Sequence, residues 1–129
     1  MVVLDTCALL WWSLDPKKLS TAATKAIEEM ELSKNGITPS ITIWEIAIKV
    51  KSQKLDLGVP IETYLSRLQQ SDVVKILPVD ENTFVKSVNL KWLHRDPVDR
   101  IVVALAKDFD CSLITKDREI RNFYSQSIW

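Results

Sequence analysis

Glycine is scarce in this chain, with only Gly36 and Gly58 among 129 residues. Neither GxGxxG nor GxxxxGKS/T occurs, which excludes nucleotide sites built on glycine-rich phosphate loops. Cysteine is equally rare, and Cys7 and Cys111 stand in neither a CxxC nor a Cys/His spacing. We therefore expect neither a zinc site nor a disulfide framework, and interpret both cysteines as buried free thiols in a reducing compartment.

An excess of charge of either sign is also missing. Seventeen basic residues balance seventeen acidic ones, so a polyanion would have to be bound by a local basic patch. No uncharged run reaches the ~20 residues of a membrane helix. Asp5 interrupts an apolar start that has no basic region before it, so we expect no signal peptide. The chain is interpreted as one soluble, cytoplasmic domain over residues 1–129, with ordinary apolar and charged fractions of 47% and 26%.

Strand-like and helix-like segments alternate along most of the sequence. Apolar runs predict strands at 1–4, 37–39, 73–79 and 111–115, and a last one at 127–129. Helical spacing and capping residues predict helices at 20–33, 41–53, 60–70, 80–90 and from Asp96-Pro97 onward. This alternation favours an α/β fold with a mostly parallel central sheet. In such sheets, ligand sites lie beyond the carboxyl ends of the strands.

Two acidic residues directly follow predicted strands. Asp5 comes after MVVL, and Asp117 comes after CSLITK. A buried carboxylate is costly unless it is paired, hydrogen-bonded or bound to a metal. Each acid is therefore either a local turn or cap residue, or has partners elsewhere in the fold. Because the carboxyl ends of parallel strands share one edge of a sheet, we expect both acids at that edge.

Other acids stand near predicted helix starts. Glu45 lies in the apolar stretch SITIWEIAIK, where a capping box with Thr42 and a carboxylate aimed into a cleft are equally good interpretations. Asp96 precedes Pro97, a pattern that favours an N-cap. Asp99 lies at the edge of the apolar face of the following helix. It could serve the helix dipole or stand in a cleft wall.

Four carboxylates are thus expected at strand carboxyl ends or helix amino ends: Asp5, Glu45, Asp99 and Asp117. All-oxygen clusters suit Mg²⁺ or Mn²⁺, and a bound cation makes neighbouring like charges tolerable. Two such ions can clamp both oxygens of a phosphodiester displacement.

Thr6 and Thr115 flank acids and could bond to them, to a metal-bound water or to the local backbone. The single histidine, His94, could assist the site from beside the helix start, but a surface or packing role is the favoured interpretation.

Four stretches resemble the PIN-domain ribonucleases, and more narrowly the VapC-type toxins of toxin–antitoxin pairs: DTCALLWW, SITIWEIAIKVKSQKLDL, HRDPVDRIVVALA and LITKD. The resemblance covers nearly the whole chain and implies a single PIN domain with an α/β/α sandwich. It also implies RNA cleavage dependent on Mg²⁺ or Mn²⁺, a homodimer, and inhibition by a separate antitoxin chain. The family's acidic site falls on Asp5, Glu45, Asp99 and Asp117, with Thr6, Thr115 and Asp96 beside it. Cys7 departs from close relatives, which often have histidine there.

On this hypothesis Asp5, Asp99 and Asp117 ligate the cation, and Glu45 ligates a second ion or orients the attacking water. The basic residues expected to contact the RNA backbone are Lys49, Lys51, Lys54, Arg95, Arg100, Lys116 and Arg118. For at least half of them the alternative is a solvated helix surface. A second function also stays open, namely a non-catalytic PIN-like module that binds RNA or protein. A metal titration would separate the two functions.

Overall fold

A five-stranded sheet with helices on both faces organises the chain, and the computed structural model describes every residue, Met1–Trp129. The strands are β1 (Val2–Leu4), β2 (Gly36–Pro39), β3 (Val74–Leu77), β4 (Ser112–Ile114) and β5 (Ser127–Ile128). The α-helices are α1 (Thr6–Leu14), α2 (Thr21–Ser33), α3 (Ser40–Lys51), α4 (Ile61–Gln70), α5 (Glu81–Val88), α6 (Pro97–Asp108) and α7 (Arg118–Phe123). A single 3₁₀ turn, Pro16–Lys18, follows α1.

All strand pairs are parallel, in the order β3-β2-β1-β4-β5. The chain builds outward from β1 through β2 to β3, and then crosses back to place β4 on the other side of β1. Val2 consequently pairs with Gly36 on one side and with Ser112 on the other. The direction of winding reverses between β1 and β4, and such a reversal opens a crevice at the carboxyl ends of the strands.

Two apolar cores cover the two faces of the sheet. Successive strand residues point to opposite faces, so Val2 and Leu4 join one core while Val3 joins the other. The first core is formed with α1, α2, α3 and α4, and the second with α6 and α7. The predicted α/β fold with a parallel central sheet and helices on both sides is confirmed.

The predicted strands and helices are present with shifts of a few residues at their ends, but the sequence pattern does not predict α1 or α7. Helix α1, TCALLWWSL, is apolar almost throughout, so no polar face reveals its helical period. Helix α7 has only six residues, too few for a periodic signal. None of the helices is both long and apolar enough to cross a membrane.

Gly36 occupies a point in β2 where the neighbouring side chains leave no room for a Cβ. A Cβ at this position would lie 2.6 Å from Met30 Sδ and 2.8 Å from Val74 Cγ2. We expect Gly36→Ala to lower the free energy of unfolding by about 1–3 kcal/mol through overpacking, as measured by urea denaturation. The same substitution should cost less in a Met30→Ala background. Equal costs in both backgrounds would contradict this explanation.

Candidate active site

A cavity of about 600 Å³ opens beyond the carboxyl ends of β1 and β4. It lies where the winding direction of the sheet reverses, and helices α1, α3 and α6 contribute to its wall together with Asp117, the N-cap of α7. The predicted site residues that line it are Asp5, Thr6, Glu45, Asp96, Asp99 and Asp117. Thr115 is fully buried at the end of β4. Acids that are widely separated in sequence therefore meet in one place.

Three of the acids in this cavity are also helix N-caps. Asp5 Oδ1 accepts a hydrogen bond from the Ala8 N–H at 2.8 Å, and Asp117 Oδ1 accepts one from the Ile120 N–H at 3.0 Å. Asp96 caps α6 in the same way, as its sequence context predicts. Asp5 and Asp117 can therefore cap a helix and still contribute to the shared site, because each capping bond uses only one carboxylate oxygen. The partial positive charge of the helix amino ends also offsets some repulsion among the acids.

Asp5 is the most buried acid of the cavity, with 7% of its surface exposed. The pKa of Asp5 is raised from 3.8 to about 6, chiefly by burial and in smaller part by the charges of Asp99 and Asp117. Hydrogen bonds from the Thr115 hydroxyl and the Ala8 N–H lower this pKa in part. The Thr115 hydroxyl also accepts a bond from the Asp117 N–H at 3.0 Å. Thr115 thus links the acid after β1 to the acid after β4.

Asp99 forms a hydrogen bond with the single histidine, His94. His94 Nε2 lies 2.7 Å from Asp99 Oδ2. The pKa of Asp99 is raised from 3.8 to about 6, chiefly by burial; the bond with His94 offsets part of this rise, and the charges of Asp96 and Asp117 add to it. The interpretation of His94 as a packing or surface residue is incomplete, because its ring bonds directly to a site acid. The sequence signal for this bond was the short separation of His94 and Asp99 in HRDPVD. Residues just before a helix can lie against the first turn of that helix.

Glu45 lies on the second turn of α3 and faces the cavity. The capping-box interpretation is wrong, because α3 begins at Ser40 and Thr42 therefore lies inside the helix. Glu45 instead accepts a hydrogen bond from Lys49 Nζ at 3.3 Å, one turn later. Its carboxylate thus belongs to the cavity rather than to the start of the helix.

The basic residues predicted to contact RNA fall into two groups by position. Lys49, Lys54 and Lys116 line the cavity, and Lys116 Nζ also lies 5.2 Å from the centre of the Trp11 ring. Lys51, Arg95 and Arg118 are exposed and lie outside the cavity wall.

Arg100 has a structural role instead, and its prediction as an RNA contact is wrong. All of its guanidinium N–H groups donate to backbone carbonyls, at distances from 2.6 to 3.1 Å. The acceptors are the carbonyl oxygens of Ser87, Val88, Leu90, Trp92 and His94. No N–H group of Arg100 is left for a phosphate, because five donors meet five acceptors.

Cys7 departs from its prediction as well. Cys111 is buried, but Cys7 is exposed and lines the cavity, because the first turn of α1 lies in the cavity wall. Partial desolvation there raises the pKa of the Cys7 thiol, and the charge of Asp5 raises it further. The thiol form is therefore favoured, and this cysteine is a poor candidate for a nucleophile.

The donors in this cavity fit a hard divalent cation. They are carboxylate oxygens, and burial together with mutual repulsion penalises their charged forms at Asp5 and Asp99. A divalent cation relieves both penalties and prefers such oxygen ligands. No three acidic, histidine or cysteine side chains already stand in a ligand arrangement. The fit thus rests on the chemistry of the donor set.

Comparison with known proteins identifies the family. The PIN domain family matches residues 2–125. Over 123 residues the chain is 31% identical to "Ribonuclease VapC22" of Mycobacterium tuberculosis, covering 94% of this chain and 90% of that protein. Two solved structures share the fold with a TM-score of 0.66: a toxin–antitoxin complex from Klebsiella pneumoniae and FitAcB from Neisseria gonorrhoeae. The first is 16% identical and covers 100% of this chain and 97% of its own; the second is 21% identical and covers 98% and 95%. The chain therefore belongs to the PIN-domain family, in its VapC-type group.

Proposed function

We propose that this protein is a divalent-metal-dependent endoribonuclease, a VapC-type toxin that hydrolyses RNA phosphodiester bonds. The observation that carries the proposal is the convergence of Asp5, Glu45, Asp99 and Asp117 on one cavity where the parallel sheet reverses its winding. The relative named as a ribonuclease supports RNA as the substrate. The shared cavity also favours catalysis over the alternative of a non-catalytic binding module, because it keeps all four acids of the resemblance.

In this proposal Asp5, Asp99 and Asp117 hold Mg²⁺ or Mn²⁺, and Glu45 holds a second ion or orients the attacking water. When bound, such a cation polarises the phosphate and lowers the pKa of water. The N-cap bonds fix one oxygen each of Asp5 and Asp117, which orients both carboxylates before substrate arrives. The amino ends of α1 and α6 add partial positive charge that favours a phosphate.

The lysines of the cavity wall are the proposed contacts to the RNA backbone. Lys54 and Lys116 form no ion pair within the protein, whereas Lys49 forms an ion pair with Glu45. The ammonium group of Lys116 lies over the Trp11 ring, a contact that favours this position of the side chain. Lys51, Arg95 and Arg118 would act only on an RNA that extends beyond the cavity.

Cleavage of a structured RNA by the purified protein tests the function. We expect cutting with Mg²⁺ or Mn²⁺, none with excess chelator, and none by Asp117→Asn. Asparagine is also a good N-cap, so this variant should keep α7 and unfold at the same urea concentration as the wild type. Cutting that survives the chelator would contradict the metal-dependent mechanism. Tight RNA binding with neither cutting nor Mn²⁺ binding would favour the binding module.

We further propose the cytoplasmic location, the inhibiting antitoxin chain and the homodimer that the resemblance implies. The two free cysteines fit a reducing cytoplasm. Helix α5 offers an apolar surface to another chain, because Phe84, Val85 and Val88 are all exposed. Light scattering of the purified protein would measure the subunit number. Co-purification with the product of a short neighbouring reading frame, with loss of cleavage in that complex, would identify the antitoxin.

A further inference from the structure

His94 lies behind the acid cavity rather than in it. It is not part of the cavity wall, whereas Asp99, to which it bonds, is. The bond joins His94 Nε2 to Asp99 Oδ2 at 2.7 Å, and Asp99 Oδ1 makes no hydrogen bond within the protein. An ionised carboxylate only accepts hydrogen bonds, so Nε2 carries the proton when Asp99 is charged. One oxygen of Asp99 is therefore occupied, and the other is free.

The imidazole ring is itself held from two directions. Its ring centre lies 4.7 Å from that of Trp92, and Trp92 stacks on Phe123 with ring planes only 7° apart. Arg100 binds the backbone carbonyls of Trp92 and His94 at 2.6 and 2.8 Å. The ring and the backbone of His94 are thus placed by contacts that need neither metal nor RNA.

We propose that His94 is a positioning residue for Asp99: its Nε2–H holds one carboxylate oxygen and leaves the other for the divalent cation of the cavity. The inference rests on the proposed function. Carboxylates that ligate metals are commonly oriented by such outer hydrogen bonds, whose loss typically costs 10- to 100-fold in metal affinity or activity. The Asp5 and Asp117 carboxylates are fixed by the helices that they cap, whereas Asp99 caps nothing. His94 thus orients the Asp99 carboxylate, as the helix amino ends orient the carboxylates of Asp5 and Asp117.

Two substitutions separate the hydrogen bond from the packing of the ring. His94→Phe keeps an aromatic ring against Trp92 and removes the hydrogen-bond donor. His94→Gln removes the ring that packs on Trp92 but retains an amide N–H that can reach Asp99. We expect His94→Phe to lower the affinity for Mn²⁺ by about 10- to 100-fold, and His94→Gln to stay within about threefold of the wild type. Saturating Mn²⁺ should restore most of the RNA cleavage by His94→Phe, because the variant lacks metal affinity rather than catalytic groups.

Mn²⁺ binding is measured by titration calorimetry without RNA, beside urea denaturation in chelator. Wild-type affinity in His94→Phe, or equal loss in both variants, would overturn the positioning role and leave the proposed function standing. A folded wild-type protein that binds no Mn²⁺ would overturn both. A loss in His94→Phe that follows reduced folding stability in chelator would make His94 a purely structural residue, which also overturns the proposal.

Discussion

Replacing Asp5 with asparagine is expected to abolish metal-dependent RNA cleavage and, at the same time, to stabilise the metal-free protein. The loss of activity should exceed the roughly 10- to 100-fold typical of losing an outer partner of a metal ligand, because Asp5 is proposed as a ligand itself. The fold should survive, since asparagine can accept the hydrogen bond from the Ala8 N–H that now caps α1.

The gain in stability follows from the raised pKa of Asp5. The pKa is 3.8 in a model peptide and about 6 in the folded protein, so the folded state binds this proton more tightly than the unfolded state. The stabilisation by protonated Asp5 is complete below pH 3.8 and is lost as the pH rises through about 6. At pH 7.5 the charged form therefore costs about 3 kcal/mol of the free energy of unfolding. Asparagine removes that cost.

Urea denaturation in excess chelator measures this difference. We expect Asp5→Asn to be more stable than the wild type by up to about 3 kcal/mol at pH 7.5, and the difference to shrink towards zero near pH 4. A useful control is Asp56→Asn, because Asp56 is exposed and lies outside the cavity. Equal stabilities of wild type and Asp5→Asn at both pH values would show that burial does not penalise this carboxylate. Undiminished cleavage by the variant would remove Asp5 from the proposed metal site.

Replacing Arg100 with methionine is expected to destabilise the protein by about 3 kcal/mol or more. Methionine keeps much of the side-chain length but removes the guanidinium donors from five backbone carbonyls between Ser87 and His94, of which Leu90 keeps a bond from the Trp92 N–H. Each unsatisfied buried acceptor costs about 1–3 kcal/mol, and water can reach some of these. Arg100→Lys should recover only part of the loss, because a lysine has three donors and no planar fork.

The measurement is urea denaturation, with amide hydrogen exchange to locate the damage. Exchange should speed up most around Trp92 and His94, whose carbonyls Arg100 binds. Arg118→Met is the matched control, since Arg118 is exposed and forms no ion pair or side-chain hydrogen bond, and it should change stability by less than about 0.5 kcal/mol. If Arg100→Met matched that control, the carbonyl bonds would contribute no net stability, and Arg100 would again be available as an RNA contact.

The layered architecture and the positions of most helices could be predicted from local patterns in the sequence. Apolar strand runs alternate with helices whose starts carry readable caps, such as Ser20 at α2 and Asp96 at α6. These signals are local, because capping bonds join residues only two or three positions apart. They also placed Asp5 and Asp117 at one edge of the sheet, since all carboxyl ends of parallel strands lie there. These local signals did not predict helix α1, because it is apolar on nearly every side.

Contacts between polar side chains could not be predicted in this way, because they depend on the folded arrangement of the chain. Nothing local distinguishes Arg100 from Arg118, yet the first is bound to five carbonyls and the second is exposed. The same holds for Cys7, which faces the cavity, and for His94, which bonds to Asp99. Capping and periodicity depend on neighbours along the chain and can be read from the sequence. Hydrogen bonds and charge interactions depend on distances in space, which exist only after the sheet has brought distant segments together.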